Sequence, residues 1–179
     1  MNGGPCMPSD KRTTGPYFGK YRGMVVNNID PLGIGRLQVQ VPDVAGLVPT
    51  TWAMPCMPFA GKQMGAWFIP QMNSGVWVEF EQGDPDHPIW SGCWYANKAE
   101  VPALAQVGVP ASPNVTLQSA TQNALVISDN PAQGILLKSS TGATITINTS
   151  GITIQNGQGA IITLSGPTVT INGTALVIT

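Results

Sequence analysis

Ala143-Thr144-Ile145-Thr146-Ile147-Asn148-Thr149-Ser150-Gly151-Ile152-Thr153-Ile154-Gln155 is the stretch that decides the fold. Ile and Thr alternate with a period of two, break at Thr149-Ser150-Gly151, and resume. A period of two places Ile on one face of a strand and Thr on the other. Both residue types are β-branched and suit a pleated surface. Working outward, the same unit recurs. Leu125 to Ser128 and Ile135 to Lys138 precede it; Ile161 to Ser165, Val169 to Asn172 and Ala175 to Thr179 follow. Apolar residues again stand two apart, as in Ile162/Leu164 and Val169/Ile171, with Gly-containing turns between the runs. This is a loose internal repeat of strand plus turn.

Such strands leave a chain with an unsolved problem. Each is four or five residues long, with an apolar face that water would wet and edges open to other chains. Residues 101–179 carry only two charged side chains, Asp129 and Lys138, to keep those edges apart. Three copies wound about one axis solve this: apolar residues point inward, Thr, Asn and Ser point outward, and backbone groups pair between chains. Residues 114–179 are therefore predicted to form an intertwined trimeric β-helix. Seven strands at ~4.8 Å per layer give a shaft of about 35 Å. A monomeric parallel solenoid and a disordered polar tail are the alternatives. Regular Ile/Val alternation argues against the tail, and short uneven repeats argue against the solenoid.

Composition changes sharply ahead of this segment. All twelve aromatic residues lie at or before Tyr95, and the first hundred residues hold the other fifteen charges. The expected organisation is an arm over 1–16, a domain over 17–96, a linker over 97–113 and the strand stack over 114–179. In the aromatic half, Leu37, Val39 and Val41 alternate with Arg36, Gln38 and Gln40 until Pro42 stops the strand. Val76, Val78 and Phe80 do the same in Gly75–Glu81. Gly19 to Val26, the apolar run Ala66 to Ile69, and Ile89 to Tyr95 complete a set of short strands. No stretch repeats apolar residues at helical spacing. About five short strands in some 80 residues suggest a small closed barrel of the OB type, so the expected class is all-β.

Two motifs carry a resemblance. The first is Asp30-Pro31, Gly35-Arg36-Leu37-Gln38-Val39 and Pro42. The second runs from Gly75 through Glu79, Gly83-Asp84-Pro85-Asp86-His87-Pro88 to Gly92. In this order they resemble the OB domain of contractile-tail spikes, the family of phage baseplate assembly protein V and the VgrG proteins of type VI secretion. The resemblance covers residues 19–95, and Gly35, Arg36, Gly75, Glu79, Gly83, Asp84, Pro85, Asp86, Pro88 and Gly92 are the residues that match it. It implies a homotrimer whose OB base sits on a tail hub, with a β-helix needle that pierces the target envelope when the sheath contracts. It implies a virion component made in the host cytoplasm, or its counterpart in a tailocin, an extracellular injection system or a type VI machine. The run Leu176-Val177-Ile178-Thr179 would end the needle in a dry platform, and in related machines a small PAAR-repeat protein caps such an end. Some phage spikes bind iron through a His-x-His pair near the tip. This chain has no His after His87, and no metal or other cofactor is expected.

Residues suited to catalysis have simpler structural readings. His87 sits between Asp86 and Pro88 in a turn. Glu79 and Glu81 fall on one face of an alternating strand, a spacing that suits a carboxylate pair or a plain solvated face. Asp84 and Asp86 suit turn capping. No enzyme activity is expected. Seven Lys and Arg against eight Asp and Glu in the first hundred residues give no phosphate-tracking stripe, which disfavours a nucleic-acid-binding OB module despite five Trp. There is no apolar run of membrane-spanning length and no secretory signal at Met1-Asn2-Gly3-Gly4-Pro5. Cys6, Cys56 and Cys93 read as free thiols, the last two buried in the barrel.

Overall fold

The structure is a computed structural model that describes residues 16–173 and 175–178. Most of the expected arm, with Cys6, lies outside the described residues, as does Thr179 of the expected platform. The chain divides into two units, one ending at Ala96 and the other beginning at Asn97.

The first unit contains β1 (Tyr21–Asn27), β2 (Gln38–Gln40), a helical turn α1 (Pro42–Ala45), β3 (Met54–Pro55), β4 (Ala60–Gly61), β5 (Met64–Gly65), β6 (Gly75–Phe80) and β7 (Pro88–Trp94). Five strands form one sheet in the order β2-β1-β6-β7-β3, antiparallel except where β3 runs parallel to β7. Two hydrogen bonds then join its ends. Leu37 N donates to Ala53 O at 3.1 Å and Ala53 N to Leu37 O at 2.7 Å, one residue from β3. The sheet thus closes on itself and leaves no free edge at that seam. Inside lie Val25, Leu37, Val39, Val41, Ala53, Val76, Val78, Phe80 and Trp90. These include all six alternating residues expected to face inward in the Gly35–Val41 and Gly75–Glu81 runs. Trp90 is buried whole because its Nε1 donates to Gly35 O at 3.0 Å.

Three expectations change here. The fifth strand is Met54–Pro55, not Ala66 to Ile69. Four successive apolar residues have no in–out pattern to set a register, and Trp67 and Phe68 are exposed. Strand β6 ends at Phe80; Glu81 begins a 3-10 turn to Gly83, so Glu79 and Glu81 do not share a strand face. Cys56 and Cys93 are free as expected, but exposed rather than buried. Cys56 follows the two-residue β3, and Cys93 stands next to the end of β7, where partial burial still pushes its thiol pKa up.

The second unit begins with 3-10 turns at Lys98–Glu100 and Ala103–Gln106 and a small hairpin, β8 (Gly108–Val109) with β9 (Ser112–Pro113). Eight strands follow: β10 (Val115–Gln118), β11 (Ala124–Ile127), β12 (Ile135–Lys138), β13 (Thr144–Asn148), β14 (Gly151–Gln155), β15 (Ile161–Ser165), β16 (Thr168–Ile171) and β17 (Leu176–Ile178). They form one sheet in chain order, every neighbour antiparallel. Val115–Gln118 is one strand more than the alternation shows. At ~4.8 Å per layer, eight strands make a stack of about 38 Å.

The ladders also correct the expected pairing between chains. Strands β11 to β16 each pair on both sides within their own chain. The connections explain this: Thr149-Ser150 and Gly166-Pro167 are two-residue links, which can only turn a strand back antiparallel on its predecessor. Among the described residues, the backbone left for a partner chain is the outer edges of β10 and β17. What remains to be shared is a face.

Candidate functional site

The registers show that face directly. Leu117 opposes Leu125, Leu125 opposes Leu137, and Leu137 opposes Ile145. The file continues through Ile154, Ile162, Ile171 and Leu176. A second file runs through Val115, Ile127, Ile135, Ile147, Ile152, Leu164, Val169 and Ile178. One face of the sheet is therefore sixteen aliphatic side chains, two per strand, with no polar residue among them. In the single chain none is buried. Twelve are exposed, with relative exposures from 37 to 63%. A contiguous apolar surface of this extent marks an interface.

The opposite face differs along its length. At its centre, Thr146, Thr153, Thr163 and Thr170 stand in one cross-strand file. Near its start, Ala124 and Val126 are buried within the single chain. Asn114 Nδ2 donates to Leu104 O at 3.1 Å and Val107 O at 2.7 Å, tying the Ala103–Gln106 turn to the start of β10. The threonine file makes the centre of this face polar, whereas the other face is aliphatic along its whole length. Of the expected platform, Leu176 and Ile178 end the two aliphatic files and are exposed. Val177 stands between them in β17, in register with Thr170.

The motif residues of the barrel hold backbone rather than build a reactive centre. Arg36 donates from Nη2 and Nε to Asp30 Oδ1, at 2.6 and 3.0 Å, and lies over the Trp52 ring, 5.3 Å from its centroid. Asp30 also accepts from the backbone N–H groups of Leu32, Ile34 and Arg36, so one carboxylate shapes the whole β1–β2 loop. The guanidinium, then these N–H groups, hold its pKa well below the usual carboxylate range. Asp30 stands in the first motif six residues before Arg36, and that spacing is the sequence signal for the pair. Gly75 lies against the Trp94 ring, where a Cβ would stand 2.6 Å from it. Gly92, at φ 132°, sits in a β-bulge: Val76 pairs with Cys93 and Val78 with Trp90, so Ser91 and Gly92 together face Trp77.

Glu79 pairs with Lys20 and accepts from Ser91 Oγ at 3.1 Å; the lysine above all keeps its carboxyl ionised. Gly83 O accepts from Tyr17 N at 2.8 Å. Asp84 caps its turn by accepting from Asp86 N at 3.0 Å and meeting His87 Nδ1 at 3.1 Å, which lowers its pKa. Asp86 O accepts from Thr51 Oγ1 at 2.9 Å, and Pro88 opens β7. The side chains of Arg36, Glu79 and Asp84 thus have structural partners, and Asp86 is held through its backbone N–H and carbonyl. Among the described residues, no three His, Cys, Asp or Glu side chains cluster as metal ligands would.

Comparison with known proteins agrees with this geometry. Residues 21–95 match the type VI secretion system/phage-baseplate injector OB domain. Residues 114–177 match the phage baseplate V C-terminal trimerisation domain. Over 51 residues, 28% of the chain, it is 37% identical to the type VI secretion system spike protein VgrG5 of Pseudomonas aeruginosa. That stretch spans 6% of the length of VgrG5.

Proposed function

Because the chain belongs to the baseplate V and VgrG-like spike family, we propose that it is a structural, non-enzymatic spike at the centre of a contractile-tail baseplate. Three copies bring their aliphatic faces together around one axis to form the needle. The OB barrels attach it to the tail hub, and the needle pierces the target envelope when the sheath contracts. A PAAR-like tip protein docks on the end formed by Leu176, Val177, Ile178 and Thr179. The protein is made in the host cytoplasm and resides in the virion tail. The similarity to VgrG5 supports the same spike role in a type VI machine, an extracellular injection system or a tailocin.

The observation that carries this reading is the sixteen-residue aliphatic face within a trimerisation domain. Burying a Val, Leu or Ile side chain contributes about 1.5–3 kcal/mol, so closing two files of eight in each of three chains is a large driving force. Axial load then falls on ladders and packed side chains together, because the strands lie across the stacking direction. Light scattering on the purified full chain should give the mass of three chains; a stable, folded single chain would overturn the needle. Particles carrying spikes truncated before Thr168 should contract but fail to depolarise target cells. Undiminished depolarisation would remove the puncturing role.

A further inference from the structure

Residues 101–179 contain one anion and one cation, and the topology sets them at opposite lateral edges of the same strand pair. Asp129 lies in the Ser128–Gly134 loop that links β11 to β12 at one edge. Lys138 ends β12 at the other. A four-residue strand at ~3.3 Å per residue separates the two edges by about 13 Å, so they do not meet within one chain. Lys138 is half-buried, yet has no hydrogen-bond or ion-pair partner among the described residues. Its ammonium is therefore open to a counter-charge from another chain. Asp129 is exposed and accepts one hydrogen bond, from Ser112 Oγ at 2.8 Å, which leaves carboxylate lone pairs for a second donor.

The Lys138 edge borders an open, shallow apolar hollow of about 710 Å³, lined by Leu125, Leu137, Ile145 and Ile154 of the first aliphatic file together with Lys138 and Gln155 among others. The opposite edge carries the seven-residue Ser128–Gly134 loop, against two-residue links elsewhere on that side. In a ring of copies related by rotation alone, one edge of each sheet meets the other edge of the next at the same height.

Resting on the trimer proposed above, we propose that the Ser128–Gly134 loop of each copy packs against the Lys138 edge of the next, pairing Asp129 with Lys138 and closing a ring of three intersubunit ion pairs. The partner at that edge is a second copy of this chain. The contact sets which copy follows which around the axis and fixes the axial register, since a slip by one strand would leave both charges unpaired. Aliphatic files alone tolerate such a slip, because every layer presents two similar side chains.

Carbodiimide cross-linking of the full-length protein tests this. Bands of two and three chain masses should yield, on digestion, a peptide joined through Asp129 and Lys138. That peptide should vanish in D129N and K138Q while light scattering still reports three chains. D129K and K138D should each speed trimer dissociation in urea about tenfold, as three weak pairs acting together. The D129K/K138D exchange should restore the rate to within about threefold of the original. A wild-type trimer whose cross-linked bands lack this peptide, or an exchange no better than the two single changes combined, overturns the edge contact and leaves the trimer standing. A wild-type mass of one chain overturns both.

Discussion

At the scale of single residues, the barrel is organised by groups that fix backbone. Asp30 accepts from three backbone N–H groups and from Arg36. Its folded pKa is depressed, so its contribution to stability is complete above the unfolded carboxylate value of ~3.9 and is lost as pH falls below it. Glu79 and Asp84 shift the same way and add to the same acid limb. Urea unfolding of the barrel, followed by Trp fluorescence, should therefore weaken between pH 4 and more acidic conditions, about one to two pH units below that value. D30N should be less stable at pH 7 and show a shallower acid slope. An unchanged slope would mean that the loop does not depend on this carboxylate. Leu37 is fully buried where the barrel closes. L37A should cost about 2–5 kcal/mol in the same measurement, with the range set by how far the seam collapses.

At the scale of elements, the C-terminal sheet satisfies its own backbone but not its side chains. Ile147 stands in the middle of one aliphatic file, beside Ile135 and Ile152. I147D would place a carboxylate at the centre of the shared interior and should reduce the mass in solution from three chains to one. Thr146 is the next residue on the opposite face, so T146K should leave a three-chain mass. If both variants behave alike, the two faces have been assigned wrongly. The two-residue links at Thr149-Ser150 and Gly166-Pro167 explain why each chain contributes a meander rather than strands threaded between its partners.

At the scale of the whole molecule, the proposed trimer couples three self-paired sheets through one apolar interior. No strand from β11 to β16 can leave without exposing two aliphatic residues and breaking ladders on both sides. Unfolding should therefore be slow, and stability should be measured as a rate. The trimer should migrate intact in mild detergent at room temperature; migration as single chains would contradict that. A tip partner recruited through Leu176 and Ile178 should be lost when β17 is deleted. Retention of the partner would place its site elsewhere.

Alternation by itself determined the all-β class, the inward residues of the two principal barrel strands and the aliphatic face of the stack. Each depends only on a period of two along a strand, which local sequence carries. Gly92 and the Asp84 turn serve nearby backbone, which is local as well. Tertiary structure alone decided that Met54–Pro55 completes the barrel, that Cys56 and Cys93 are exposed, and that the stack pairs within its own chain. Those outcomes depend on which segment reaches which edge. Leu37 meets Ala53 sixteen residues later, and β3 meets β7 across more than thirty, so their pairing follows from closure of the barrel. The opposed positions of Asp129 and Lys138 are of the same kind. Nine residues apart in sequence, they become ends of one strand pair only when the loop between them folds.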